Sequence, residues 1–195
     1  MAQQNVTPRP NLLRLIIYVI LALIVVVGLI ILITWLVIRP RGLVYSVEYG
    51  SISGFNISRD HLDANFDFVL KGRNPNHRVT VIYESIEVRV MYEEQTMAFG
   101  SLEPFHQGHK NVTRLEAKLL ARSVPLIGSI SRQLRRDKNS GDIEFGIYMT
   151  ARIRFKVGSW KSGRRKLKVN CDPVLVHTGS TKHFEPTTCD VDVDG

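Results

Sequence analysis

The sequence predicts an all-β fold: an antiparallel β-sandwich of the immunoglobulin/fibronectin-III-like kind with one short helix, carried behind one N-terminal transmembrane helix. Three observations predict it. Residues 15–38, LIIYVILALIVVVGLIILITWLVI, contain no charge, and at about 1.5 Å per residue they span roughly 36 Å as a helix, enough for a hydrocarbon core of about 30 Å. The chain after Ile38 alternates apolar and polar residues with the period of two that belongs to strands. One stretch, 126–138, changes to helical spacing.

The organisation expected is a cytosolic tail at 1–14, a signal anchor at 15–38, a membrane-proximal segment with a first strand at 39–63, a β-sandwich at 64–176 and a C-terminal tail at 177–195. The apolar run exceeds the 7–15 residues of a cleavable signal and ends in bulky Trp35-Leu36-Val37-Ile38, so it reads as uncleaved. Flanking charge does not orient it, because Arg9 and Arg14 on one side face Arg39 and Arg41 on the other. Orientation rests instead on the larger segment. It carries two candidate N-glycosylation sites, Asn56-Ile57-Ser58 and Asn111-Val112-Thr113, whereas Asn5-Val6-Thr7 in the short tail reads as a chance match. It also holds the two cysteines, Cys171 and Cys189, an even count that suits a disulfide in an oxidising compartment, with two unpaired thiols as the alternative. A cytosolic N-terminus and an exoplasmic domain are expected.

Within that domain Val44, Tyr45, Val47 and Ile52 mark a first strand. Ala64, Phe66, Phe68 and Leu70 mark the next, followed by Ile86, Val88, Val90 and Tyr92, and then Leu115, Ala117 and Leu119. The longest alternation runs from Ile143 to Val157, about 50 Å at 3.3 Å per residue, and calls for a bend or bulge near Gly146. Leu167, Val169 and Cys171 form the strand returning from the loop at Lys161-Ser162-Gly163. Turn chemistry separates these elements at Asn74-Pro75-Asn76, Gly108 and Asn139-Ser140-Gly141. In the helical stretch Leu126, Ile127, Ile130 and Leu134 form the apolar face.

Beyond Ile38 there are 24 basic and 18 acidic residues, net +6, which implies anionic partners. Nucleic acid is not expected, for the chain is tethered and carries no nucleic-acid motif. The densest patch lies between Arg152 and Lys168, where Arg152, Arg154, Lys156, Lys161, Arg164, Arg165, Lys166 and Lys168 occur with no acid among them. A hairpin presents most of them together. Two readings stand: a solvated outer face, or a surface for anionic lipid headgroups or acidic cell-wall polysaccharide.

His106 and His109 read as a polar turn rather than a metal site, for no third ligand accompanies them. Asp190, Asp192 and Asp194 have the Asp-x-Asp spacing of metal–nucleotide sites in glycosyltransferases, but the domain is too small for such an enzyme and the aspartates read as a frayed acidic tail. The common nucleophile, phosphate-loop and zinc signatures do not occur. No catalytic residue, cofactor or metal is expected.

Arg73-Asn74-Pro75-Asn76, then Pro104-Phe105-His106-Gln107-Gly108-His109-Lys110-Asn111, then Val169-Asn170-Cys171-Asp172 resemble the plant harpin-induced-like and non-race-specific-disease-resistance-like family, whose domain is the type-2 late-embryogenesis-abundant domain. The layout of short tail, single span, one domain and a second cysteine near the end resembles it too. The sequence departs at His106, where the family commonly has Tyr. The resemblance implies an antiparallel β-sandwich with a helix, residence at the plasma membrane or plasmodesma, and a non-enzymatic role in plant defence of the hypersensitive type and in stress signalling. Its partners would be wall polysaccharide, anionic lipid or a defence-signalling protein. The alternatives weighed beside it are a lipid-binding or membrane-protecting abiotic-stress domain and a small glycan-modifying enzyme.

Overall fold

The computed structural model describes residues 11–38, 41–178 and 183–194, and the chain divides into two compact units, 1–40 and 41–195. The expected tail lies outside the described residues as far as residue 10, Asn5 and Arg9 included. The first unit contains helix α1, Asn11–Ile38. Among the described residues it is the one helix long and apolar enough to cross a membrane. From Leu15 to Leu32 its leucines, isoleucines and valines are exposed all round, Leu15 at 60% and Ile24 at 64%, and a helix apolar on every face needs apolar surroundings.

The second unit is almost entirely antiparallel sheet. Its elements are β1 (Val44–Ser58), β2 (His61–Arg73), β3 (Thr80–Tyr92), β4 (Gln95–Leu102), β5 (Phe105–Gln107), β6 (Val112–Pro125), α2 (Gly128–Ser140), β7 (Asp142–Val157), β8 (Trp160–Lys161), β9 (Arg165–His177) and β10 (Thr187–Asp194). The ladder runs β4-β3-β7-β9-β10-β1-β2-β6, with β5 paired to β3 and β8 to β7. Its terminal strands approach without a hydrogen-bonded ladder between them: a Cβ on Gly100 of β4 would fall 2.6 Å from Leu119 Cδ2 of β6. The sheet is thus nearly closed on itself, like a barrel. The expected all-β antiparallel architecture is present, but the strands do not divide into two immunoglobulin-type sheets. The reason is β10, which pairs with β9 on one edge and with β1 on the other.

That strand corrects the expectation of a C-terminal tail at 177–195. Val191 and Val193 pack toward the core while Asp192 and Asp194 lie opposite Lys168 and Lys166 of β9. Charge complementarity across the ladder gives the acidic alternation a structural role as a strand.

The inward positions of the alternating runs are the observed core, with Tyr45, Phe66, Phe68, Tyr83 and Phe145 among the fully buried side chains. Phe66 meets Phe145 edge-on at 5.5 Å, the geometry that ring quadrupoles favour. In β7 the bulge occurs where glycine interrupts the run, between Phe145 and Ile147. Helix α2 buries Leu134, and Gly141 ends it with φ +94 and its N–H on the Asp137 and Lys138 carbonyls. Ile127, expected on the apolar face, is 63% exposed, because its extended backbone makes it the residue before the helix.

Candidate functional site

Two features stand out, both at the end of the barrel where β1 begins. The register places them together: Val44 pairs with Arg73, the chain turns through 74–79, and Thr80 pairs with Lys156 at the far end of β7.

The first is a buried polar clamp made by motif residues. Asn74 is fully buried, and its side-chain amide donates to the carbonyls of Val79 at 2.8 Å and Gly108 at 3.0 Å. Its Oδ1 accepts from the backbone N–H of Asn76 at 3.1 Å and from Asn76 Nδ2 at 2.9 Å. Asn76 in turn accepts from the Arg41 N–H at 2.7 Å and donates to the Arg41 carbonyl at 3.0 Å, so its amide pairs with Arg41 as a neighbouring strand would. Gln107 donates to the Gly72 carbonyl at 2.8 Å and accepts from the Tyr83 hydroxyl at 3.2 Å, and Tyr83 shares a 2.6 Å hydrogen bond with Tyr45. Burial pushes the Tyr83 phenol up to about 12 and that of Tyr45 well above its ordinary range. Both stay neutral, as a hydrogen-bond network in a core requires.

The motif therefore has a mechanical explanation. Pro75 fixes the turn between the two asparagines, and the asparagines satisfy backbone groups of the 74–79, 108 and 41 segments that no strand pairs. Phe105 stacks on Tyr83 with ring centroids 4.3 Å apart, whereas His106 is exposed beside it, so the aromatic packing at this point belongs to Phe105. Pro104, His109 and Lys110 lie in the surrounding turns, where the Lys110 N–H donates to the Asn76 carbonyl at 2.9 Å. The Asn111 carbonyl receives the Asn74 N–H at 3.0 Å.

The second feature is the basic hairpin of β7, β8 and β9. Arg152 lies opposite Lys166, and Lys156 opposite Lys161. Like charges directly across a ladder are destabilising. Part of the patch is neutralised: Arg154 and Arg164 both pair with Glu84, at 2.6 and 2.8 Å, and Lys168 pairs with Asp194 at 2.5 Å. That last bond holds the Lys168 ammonium above, and the Asp194 carboxyl below, their ordinary values. Among the described residues Arg152, Lys156, Lys161 and Arg165 have no ion-pair partner. Of the eight cations found in sequence, three are thus ion-paired, four are free of ion pairs, and Lys166 lies opposite Asp194 on β10, a division invisible without Glu84 and β10.

Cys171 and Cys189 form a disulfide between β9 and β10. Next to it Asp172 accepts from the Tyr148 hydroxyl at 2.8 Å, which raises the Tyr148 phenol. Asn56, on β1 beside its bulge, and Asn111, before β6, are both exposed. Among the described residues no group of three or more His, Cys, Asp or Glu is placed to hold a metal.

A family model described as Late embryogenesis abundant protein matches residues 69–172. That span takes in Asn74, Asn76, Tyr83, Gln107 and Cys171, but not the clamp's partners Arg41 and Tyr45. In Arabidopsis thaliana, NDR1/HIN1-like protein 3 is 34% identical over 92% of this chain and 80% of its own, and NDR1/HIN1-like protein 10 is 36% identical over 93% and 84%. The chain belongs to the NDR1/HIN1-like family, with a type-2 late embryogenesis abundant domain. An uncharacterized Arabidopsis thaliana protein, At1g08160, is 39% identical over 89% of this chain and 79% of its own.

For this NDR1/HIN1-like chain the family match stops at Asp172, yet the domain continues to Asp194 through Cys189 and β10. Sequence reasoning missed three contributors: Arg41 as the clamp's backbone partner, Glu84 as the counter-ion of Arg154 and Arg164, and Trp160, which stands 59% exposed at the turn of the basic hairpin. An apolar side chain on a polar loop was the one signal that pointed to Trp160.

Proposed function

We propose that the protein is a non-enzymatic, single-pass membrane protein of plant defence and stress signalling. Helix α1 anchors it, and the barrel works as an exoplasmic interaction module between plasma membrane and cell wall, with plasmodesmata among its sites of residence. The observation that carries the exoplasmic reading is the Cys171–Cys189 disulfide inside the unit that follows an apolar helix, since such bonds persist in oxidising compartments. Exposure of both sequon asparagines fits the same side of the membrane. Family membership supports the biological setting, and the clamp around Asn74 supports a binding scaffold, because its polar groups are spent on one another. The partners that fit the free cations are anionic lipid, acidic wall polysaccharide or an acidic surface of a defence-signalling protein.

The reading in which the barrel holds an apolar ligand is less favoured, as its interior is filled by Tyr45, Phe66, Phe68, Tyr83 and Phe145. The test is topological. Expressed in plant cells, the full chain should shift in mobility on glycosidase treatment, the shift should vanish with Asn56→Gln and Asn111→Gln together, and the barrel should resist protease added from the cytosolic side. Digestion of the barrel from the cytosolic side would refute the proposal.

A further inference from the structure

The hairpin tip between β7 and β9 is built to hold one aromatic side chain forward. Val157 and Trp160 close a two-residue turn in which Gly158 takes φ +58, the left-handed conformation hairpin turns reserve for glycine at that position. Ser162, nearly buried, fastens the tip to the barrel. Its N–H donates to the Phe155 carbonyl at 2.8 Å, and its hydroxyl accepts from the Phe155 N–H at 3.0 Å. Trp160 is nonetheless 59% exposed. A tethered loop that spends two hydrogen bonds on its shape and leaves its largest apolar side chain in water has an unmet contact.

The surroundings give that contact its chemistry. Lys156 and Lys161 face each other beside Trp160, and Arg165 follows on β9, all exposed and without an ion-pair partner among the described residues. Arg78, exposed in the turn before Thr80, and Arg73, at the end of β2, belong to the same end of the barrel. Of the acids on the neighbouring strands, Glu84 and Asp194 are engaged by Arg154, Arg164 and Lys168, and Asp192 lies opposite Lys168. Val44 and Val112, both paired with the two sides of Arg73, add exposed apolar surface there, at 48% and 43%. The chain enters the barrel at this end too, at Arg41, three residues after Ile38 in the sequence.

We propose that this end of the barrel is a docking surface for an anionic bilayer, with Trp160 inserting at headgroup level and Lys156, Lys161 and Arg165 contacting lipid phosphates. Tryptophan is the side chain enriched at membrane–water interfaces, with an apolar ring and a polar N–H. Cations around it supply the attraction to acidic lipid, and the like-charge cost of Lys156 opposite Lys161 is relieved when anions lie against them. A convex tip ringed by cations suits a planar interface better than a linear polymer, which is bound along a groove. The proposal deepens the interaction-module reading by naming the partner, and rests on it only for the membrane being present.

The test uses the full chain with Trp35→Phe, so that Trp160 is its one tryptophan, reconstituted in vesicles whose two leaflets have the same composition. Replacing roughly one phosphatidylcholine in three by phosphatidylglycerol should blue-shift Trp160 and cut its acrylamide quenching constant about twofold. The shift should disappear in about 1 M salt, where the Debye length is about 3 Å, and in Lys156→Gln/Lys161→Gln/Arg165→Gln. Equal quenching in neutral and anionic vesicles would overturn the proposal. So would protection in neutral vesicles by added polygalacturonate as strong as that by anionic lipid, which would move the surface to acidic polysaccharide. Because both leaflets are alike, the result does not depend on which side the barrel faces, so a failure of the exoplasmic reading leaves it intact and separately visible.

Discussion

Replacing Asn74 with alanine removes the centre of the clamp. The side chain donates two hydrogen bonds, to the Val79 and Gly108 carbonyls, and accepts two from Asn76. At about 1 kcal/mol net for each bond the direct loss is about 4 kcal/mol. Asn74 is fully buried, at 0% accessibility, so the orphaned carbonyls recover little from solvent. Partial relaxation works the other way, and a cost of about 3–5 kcal/mol is expected against a total stability of about 5–15 kcal/mol. Urea unfolding of the full chain in detergent micelles, followed by the β-sheet circular dichroism band, measures it. Pro75→Ala is the control: Pro75 is only half-buried, and its loss acts through the unfolded chain at about 0.4–1 kcal/mol. In a double-mutant cycle Asn74→Ala and Asn76→Ala should be non-additive by about 1 kcal/mol, since the two side chains share the hydrogen bond from Asn76 Nδ2 to Asn74 Oδ1, while the bond from the Asn76 backbone N–H survives Asn76→Ala. A loss below about 1 kcal/mol for Asn74→Ala, or simple additivity with Asn76→Ala, would refute the clamp as a stabilising network.

The Cys171–Cys189 bond closes a segment with a sequence separation of 18, so Cys171→Ser/Cys189→Ser should cost about 3 kcal/mol on the loop-entropy account, read as a lowered urea midpoint; an unchanged midpoint would show that β10 stays docked through its ladder alone. Two pH limits follow from the phenols and from Glu48. Tyr83 is pushed up to about 12 from 10.0, so its contribution is complete below pH 10.0 and lost as pH rises through the folded value, and tyrosinate absorbance should show a late-titrating class that appears together with unfolding. The Glu48 carboxyl is held below its ordinary 4.5 by hydrogen bonds from Lys71 and Arg114, so its contribution is complete above pH 4.5 and lost as pH falls through the lowered value; Glu48→Gln should flatten the acid side of a stability–pH curve, and an unchanged curve would contradict the pairing.

Alternation made the barrel's strands legible wherever one face is apolar. Phe66 and Phe68 in β2, Val88 and Val90 in β3, and Ile147 and Met149 in β7 are buried as their spacing requires. The same rule applies to β10, but Val191 and Val193 are only partly buried and alternate with aspartates, so the pattern reads as an acidic tail until Lys166 and Lys168 are known to lie opposite. The candidate site was legible in the same partial way. Asn74, Asn76 and Gln107 stood out as a motif and the eight cations as a patch, but the bonds that give Asn76 its role go to a backbone 35 residues away.

The sequence by itself determined the apolar N-terminal segment, the strand-forming runs and the family, because each is written in local composition or in a short ordered motif. Only the tertiary structure decided that the sheet is one nearly closed ladder, that Glu84 and Asp194 neutralise part of the basic patch, and that Trp160 stands among the cations left free. Those outcomes depend on register between segments distant in sequence. A one-residue slip in register reverses every side chain on a strand, and no composition or spacing along a single segment records which residue of another strand it will meet.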